Sequence, residues 1–301
     1  MNGIGIDVSK RRLDIGTTDG ETVQVSNSPS GYAELSTWLS TRPAIQIVLE
    51  ATGGYEQTVL DFLHKAGHPV IRANALRARR LAQGLGKVAK TDRLDALVLA
   101  QMAALVELPS YQPLEPWQRK LREFVRARRQ TMQALTVARQ QQEMVTDREL
   151  RRQMQGNIIG LQTLVERLGK QISEQVAQQP QLAVLKSMKG VGPALQAVLA
   201  SYLPELGQIS EKAIASLVGV APISHDSGAM RGRRSIHGGR AEIRQVLYMS
   251  AMRHEPRLRD FYRSLRARGK EGKVAIVAVM RKMLVILNAR VRDAQGGSIP
   301  A

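Results

Sequence analysis

Four carboxylates in this sequence have the types and spacing for metal chemistry. Asp7 sits in the apolar run "GIGIDV", and Glu50 closes "IVLE" in "VLEATGGY". Asp92 and Asp95 stand three residues apart in "KTDRLDA", a spacing that puts both on one helix face. Carboxylates gathered in one place repel one another and raise each other's pKa. A divalent cation relieves that repulsion. Oxygen donors without imidazole or thiolate suit Mg²⁺ or Mn²⁺. Such a centre polarises a phosphate and stabilises the attacking and leaving oxygens of a displacement. Each acid also has an ordinary reading: Asp92 as a helix N-cap, Asp95 as a first-turn acid facing the helix dipole, Glu50 as a strand-end surface residue.

A second stretch, "HDSGAMRGRRSIHGGR" from His225 to Arg240, brings a hydroxyl into a basic setting. Ser227 is either a nucleophile or the serine of a Ser-Gly turn. If the electrophile is a metal-bound phosphate, the serine needs no His–Asp relay, and His225 reads as a loop residue. Arg231, Arg233 and Arg234 would neutralise charge developing on the phosphate. Ser224 and Ser235 are the competing hydroxyls.

The elements that must position these groups follow from patterning. "GIGIDVSK", "RLDIGTT" and "TVQVSN" read as a three-stranded antiparallel meander. A helix through Leu35, Trp38 and Leu39 comes next, then the strand "AIQIVLEAT". "YEQTVLDFLHKAG" is a helix closed by Gly67, and "HPVIRAN" is a strand. A basic helix around Arg77, Arg79 and Arg80 precedes the helix "KTDRLDALVLAQMAAL", which Thr91 or Asp92 starts. This order predicts an α/β, ribonuclease-H-like domain over 1–112, in which the first strand, the fourth strand and the closing helix meet at one sheet edge. Over 113–180 strand signals vanish. Apolar stripes through Leu121, Phe124, Val125, Met132 and Leu135, and through Leu161, Leu164, Val165, Leu168, Ile172 and Val176, predict two long helices breaking near Gly156. They would form a hairpin or coiled coil that could serve as a dimer seam. Residues 181–301 read as mainly α. "LKSMKGVGPALQAVLASYL" within them predicts a helix-hairpin-helix-like element, whose glycine turn lets backbone N–H groups approach a phosphate.

Composition narrows the classes. The 301 residues contain no cysteine, which excludes disulfides, thiolate zinc and a cysteine nucleophile. An acidic residue at position 7 falls too early for a signal peptide, and no apolar run reaches about 18 residues, so a soluble, cytoplasmic protein without membrane contact is expected. The net charge is +18, and it is unevenly placed. Residues 1–110 hold 12 Lys+Arg against 11 Asp+Glu, whereas residues 231–292 hold 17 against 4. A basic excess at one end is the footprint of a polyanion partner. Arg77, Arg79, Arg80, Lys90, Lys189, Arg231, Arg233, Arg234, Arg240 and Arg244 are the candidate nucleic-acid contacts. Aromatic content of 4% argues against base stacking as the main contact. An actin-like or sugar-kinase ATPase shares an acid-bearing first strand, but the downstream half offers helices and arginines where a second nucleotide-binding half would stand.

Taken in order, "GIDVSK", "EATGGY", "KTDRLDA" and "SG" before "RG" resemble the DEDD transposases of bacterial insertion sequences, relatives of the Piv-type DNA invertases. The resemblance covers nearly the whole chain. It implies a RuvC-like domain, a coiled-coil insertion and a C-terminal transposase domain over 181–301. It implies that Asp7, Glu50, Asp92 and Asp95 form an Mg²⁺-binding tetrad. It further implies that Ser227 attacks a DNA phosphate to form a transient phosphoserine link. A structured bridge RNA would pair with donor and target DNA. Homodimers would pair into a tetramer whose composite site takes the tetrad from one subunit and the serine from another. A metal-dependent nuclease of the Holliday-junction-resolvase type would use the same acids to activate water, without Ser227. A non-catalytic DNA- or RNA-binding protein would need neither the acids nor the serine.

Overall fold

The computed structural model describes residues 3–42, 46–51, 53–87, 91–106, 110–223, 234–252 and 256–296. The chain divides into two compact units, 1–113 and 114–301. The first is a mixed α/β unit and the second is helical.

The first unit is built on a five-stranded sheet. Strands β1 (Gly3–Val8), β2 (Arg12–Thr17) and β3 (Thr22–Ser26) form an antiparallel meander. Helix α1 (Pro29–Ser40) leads to β4 (Gln46–Glu50), which pairs parallel to β1. Helix α2 (Gln57–Lys65) leads to β5 (Val70–Ala73), parallel to β4, giving the order β3-β2-β1-β4-β5. Helices α3 (Ala75–Gly84) and α4 (Asp92–Leu105) follow. The alternation of side chains along each strand separates two cores. Ile4, Ile6, Leu13, Ile15, Ile47 and Leu49 pack against α1 and α2. Val48, Ile71 and Ala73 pack against Ala78 of α3 and Leu99, Met102 and Ala103 of α4.

The second unit begins with a long hairpin, α5 (Pro116–Glu143) and α6 (Arg148–Ala177). The sequence places the break near Gly156, but the chain turns at residues 144–147 instead. Asp147 caps α6, its carboxylate accepting from the Leu150 N–H at 2.7 Å. Gly156 lies inside α6 with open space around it. A glycine lowers helix propensity but does not stop a helix that is capped upstream. The outer part of the hairpin has a thin core of Leu135, Ala138 and Ile158, while Leu121, Ile172 and Val176 join the main core of the unit.

That main core centres on α7 (Pro193–Tyr202), α8 (Glu211–Val218), α9 (Ala241–Ala251), α10 (Pro256–Ala267) and α11 (Gly272–Ala294). The limb before the Gly190–Gly192 turn is a 3₁₀ helix over Pro180–Ser187, where the sequence suggests an α-helix. Pro180 at its start removes a donor, and Leu182 and Leu185, three residues apart, fall on the one buried face that a three-residue turn offers. Among the described residues, no helix is long and apolar enough to cross a membrane.

Candidate active site

The acids meet because two glycines let a helix lie against a strand. Gly3, Gly5 and Asp7 occupy alternate positions of β1 and so face one side of the sheet. A Cβ on Gly3 would lie 2.5 Å from the Ala100 carbonyl oxygen, and one on Gly5 would overlap the Ala96 carbonyl oxygen and the Ala100 nitrogen. Helix α4 is therefore pressed onto the β1 backbone and runs antiparallel to it. Two strand residues advance about 6.6 Å, close to the ~6 Å of four helical residues. The register thus carries from Gly3 at residues 100–104 and Gly5 at 96–100 to Asp7 at the first turn of α4. That turn holds Asp92 and Asp95. Thr91, one of the two residues the sequence offers, is the N-cap; its hydroxyl accepts from the Leu94 N–H at 3.2 Å.

Glu50 arrives by strand pairing. Ile6 stands beside Leu49 in the parallel β1–β4 register, so the next step along both strands sets Asp7 beside Glu50. Glu50 shares the face of Val48, towards α3 and α4. A pocket of about 300 Å³ is lined by Glu50, Asp95, Arg79, Val98 and three alanines of α3. Asp7 registers the result. Burial raises its carboxyl, and the charges of Asp95, Glu50 and Asp92 raise it further, from 3.8 to about 6. Among the described residues, however, no three acidic or histidine side chains are drawn close enough to chelate an ion as they stand. The four carboxylates share a field, not yet a ligand shell.

The loops around the site are tied down. Glu56 is fully buried, accepts the Gly54 N–H at 2.8 Å, and receives the Arg72 guanidinium at 2.6 and 2.9 Å. Burial alone would raise its carboxyl, but backbone donors and Arg72 hold it below the usual range. Asn27 donates from its side chain to the Ser9 carbonyl at 2.9 Å and to that of Tyr55 at 3.4 Å, joining the loop after Asp7 to the loop after Glu50. Asp14, a carboxylate the sequence pattern does not single out, pairs directly with Asp7 across the β1–β2 ladder and accepts from Gln24 at 2.7 Å.

The sequence that builds this sheet edge has relatives. Residues 4–148 match the DEDD-type model described as "Transposase", and residues 182–263 match "Transposase IS116/IS110/IS902 family". The chain belongs to the IS110 family of transposases. It is 28% identical to the pilin gene-inverting protein of Moraxella bovis over 311 residues, 96% of this chain and 95% of that one. The pilin gene-inverting protein of Moraxella lacunata matches over the same shares. An insertion element IS110 protein of Streptomyces coelicolor is 32% identical over 131 residues, 42% of this chain and 32% of its own length. The protein is a DNA transposase or recombinase.

The basic residues of this transposase fall into different settings. Arg77 and Arg80 are exposed on α3, Arg79 borders the acid pocket, and Lys189 is exposed in the turn before α7. Arg240 is engaged inside the second unit: its guanidinium grips both Glu205 oxygens at 2.6 Å and the Tyr202 carbonyl at 2.8 Å. Arg244 donates to the carbonyl oxygens of Gly238 and Val218. Gly219 and Gly239, both with positive φ, bring the two chain segments too close for any Cβ between them. An Ile223–Ser235 bridge completes this clasp, and Arg234 lies just inside it. Ser227, Ser224, Arg231, Arg233 and Lys90 lie outside the described residues.

Proposed function

We propose that this transposase exchanges DNA strands through a ribonuclease-H-like, RuvC-type unit in which Asp7, Glu50, Asp92 and Asp95 hold Mg²⁺ or Mn²⁺, with Ser227 as the nucleophile. The raised carboxyl of Asp7 carries this reading: three other acids act on it through a register that the sheet and α4 impose. The strand order and the parallel β4 support the fold assignment. The all-oxygen donor set fits a hard cation. Its closure requires the four side chains to turn inward, which their mutual repulsion opposes in the absence of positive charge. The bound ion would supply charge neutralisation at the phosphate.

The chain's own groups account for the rest. The Ser227 Oγ attacks a DNA phosphorus, its proton leaves, and the phosphodiester bond to one DNA oxygen breaks, leaving a DNA hydroxyl. A second DNA hydroxyl then attacks the phosphoserine and releases the serine, so the number of phosphodiester bonds is conserved and no high-energy cofactor is consumed. Arg231, Arg233 and Arg234 neutralise charge at the phosphate. The likeness to the pilin gene-inverting proteins supports inversion or insertion of DNA as the outcome. We assign guidance to a bridge RNA, catalysis to a tetramer of paired dimers with sites shared between subunits, and coiled-coil contacts to the α5–α6 hairpin. We place the enzyme in the cytoplasm.

A water-using nuclease of the resolvase type would need only the acid edge, which the first unit supplies by itself. The test is a denaturing gel of full-length protein, flanking RNA, labelled donor and target DNA, and Mg²⁺. A protein–DNA adduct lost in both Ser227→Ala and Asp7→Asn is expected. Cleavage without an adduct, unchanged in Ser227→Ala, would replace the recombinase mechanism with the nuclease one.

A further inference from the structure

The turn that follows Asp7 is basic, rigid and next to the acids. Lys10, Arg11 and Arg12 are all exposed, in a unit whose charges otherwise nearly balance. The backbone beneath them is fixed. The Ser9 N–H donates to the Arg12 carbonyl at 2.9 Å, and the Ser9 hydroxyl donates to the same oxygen at 3.0 Å. The Asn27 N–H donates to the Arg11 carbonyl at 2.9 Å, and the Asn27 side chain holds the Ser9 carbonyl. Tyr32 donates to Asn27 at 2.5 Å and so fixes it in turn. The three cationic side chains are thereby presented on a preformed turn, where ordering them on a ligand costs less than on a loose loop.

Three arginines of the unit are paired: Arg42 with Glu21, Arg72 with Glu56, and Arg12 with Asp92 at 3.8 Å. Among the described residues, Lys10 and Arg11 form no such pair. With Ser9 and Arg12 they line an open depression of about 490 Å³. Lys10 and Arg11 follow Asp7 by three and four positions across a reversing turn, so at most about 10–13 Å of chain separates them from it. Nucleotides rise about 3.4 Å each along one DNA strand, so the turn reaches phosphates within about three nucleotides of one held at the acids.

We propose that the Ser9–Arg12 turn grips the sugar–phosphate backbone of the DNA strand being processed, through Lys10 and Arg11, while Arg12 positions Asp92. This deepens the acid-site reading and rests on it. Backbone contacts of this kind set register and orientation without reading bases.

The experiment uses full-length protein, EDTA, and a labelled DNA duplex and a labelled RNA hairpin of equal length, with affinity measured across a salt series. The Lys10→Ala/Arg11→Ala variant should lose about 1.8 from the log–log salt slope on duplex DNA, two contacts at roughly 0.9 each. Its affinity at the lowest salt should fall at least about tenfold. Lys10→Arg/Arg11→Lys should retain the wild-type slope. An unchanged slope and affinity in the alanine variant, or a loss confined to RNA, would overturn the proposal. Strand exchange by Asp7→Asn, measured alongside, would overturn the acid-site reading instead, so the two failures are separable.

Discussion

The acid edge of the first unit and the arginine clasp of the second are both dense in charge, and they treat it in opposite ways. At the edge, like charges are held in one field and Asp7 is raised to about 6. At the clasp, Arg240 meets both oxygens of Glu205 and a backbone carbonyl, and Arg244 meets two more carbonyls. Like charges gathered by the fold raise one another and favour a cation from outside. Charge fully engaged by the fold holds the fold. Arg240 and Arg244 look alike to Arg77 and Arg80 in sequence, yet only the latter pair is exposed and presented outward.

The sharpest way to break this contrast is at Asp7. Asp7→Asn should lower strand exchange about 1000-fold or more, because the proposed cation site would lose one ligand and its charge. Full-length protein assayed for exchange checks this, and near-wild-type rates would place the chemistry elsewhere. Gly5→Ala should come next, destabilising the first unit by about 3 kcal/mol or more, since a methyl group there collides with the backbone of α4. Chemical denaturation reads this directly, and metal binding should fall with it as α4 is pushed off β1.

The clasp should behave differently. Arg240→Ala should cost about 1–2 kcal/mol of stability, as befits a bidentate but partly exposed pair, and leave the salt slope of DNA binding unchanged. A slope reduced by about 0.9 would show that Arg240 contacts phosphate after all. The unrelieved charge at Asp7 also predicts a pH signature. The folded state keeps the Asp7 proton up to about pH 6, whereas the unfolded chain loses it near 3.8. Metal-free stability contributed at this position is therefore present below about pH 4 and lost as pH rises through 6. Asp7→Asn should match wild type near pH 4 and exceed it above pH 6 by roughly 1–2 kcal/mol, after allowance for solvent screening. Melting curves with EDTA test this, and added Mg²⁺ should close the gap. The smallest effect belongs to Gly156→Ala, which should stabilise α6 by about 0.5–1 kcal/mol, since nothing lies near its Cβ position.

Much of this was legible in the sequence because local rules govern it. The meander, the strand ending at Glu50 and the helix opening at Thr91 all carry their own patterns, so the positions of the four acids on their elements could be read directly. Their meeting depends on Gly3 and Gly5, which look like weak strand residues until the close approach of α4 explains them. Asp14 was not legible, because its place beside Asp7 is set by the hairpin register. The hairpin break was misplaced to Gly156 because a glycine is conspicuous, whereas Asp147 acts through one hydrogen bond to Leu150. The engagement of Arg240 was hidden because its partner Glu205 lies 35 residues away. Sequence shows which residues carry charge, but only tertiary pairing shows which charges remain for a ligand.

The most direct measurement is Mn²⁺ binding to full-length protein, followed by the loss of the free-ion electron paramagnetic resonance signal. Wild type should bind saturably, and Asp7→Asn and Glu50→Gln should each weaken binding by at least about 100-fold, since residues from two strands would be losing places in one shell. Equal affinity in wild type and both variants would contradict the claim that these carboxylates form a single cation site.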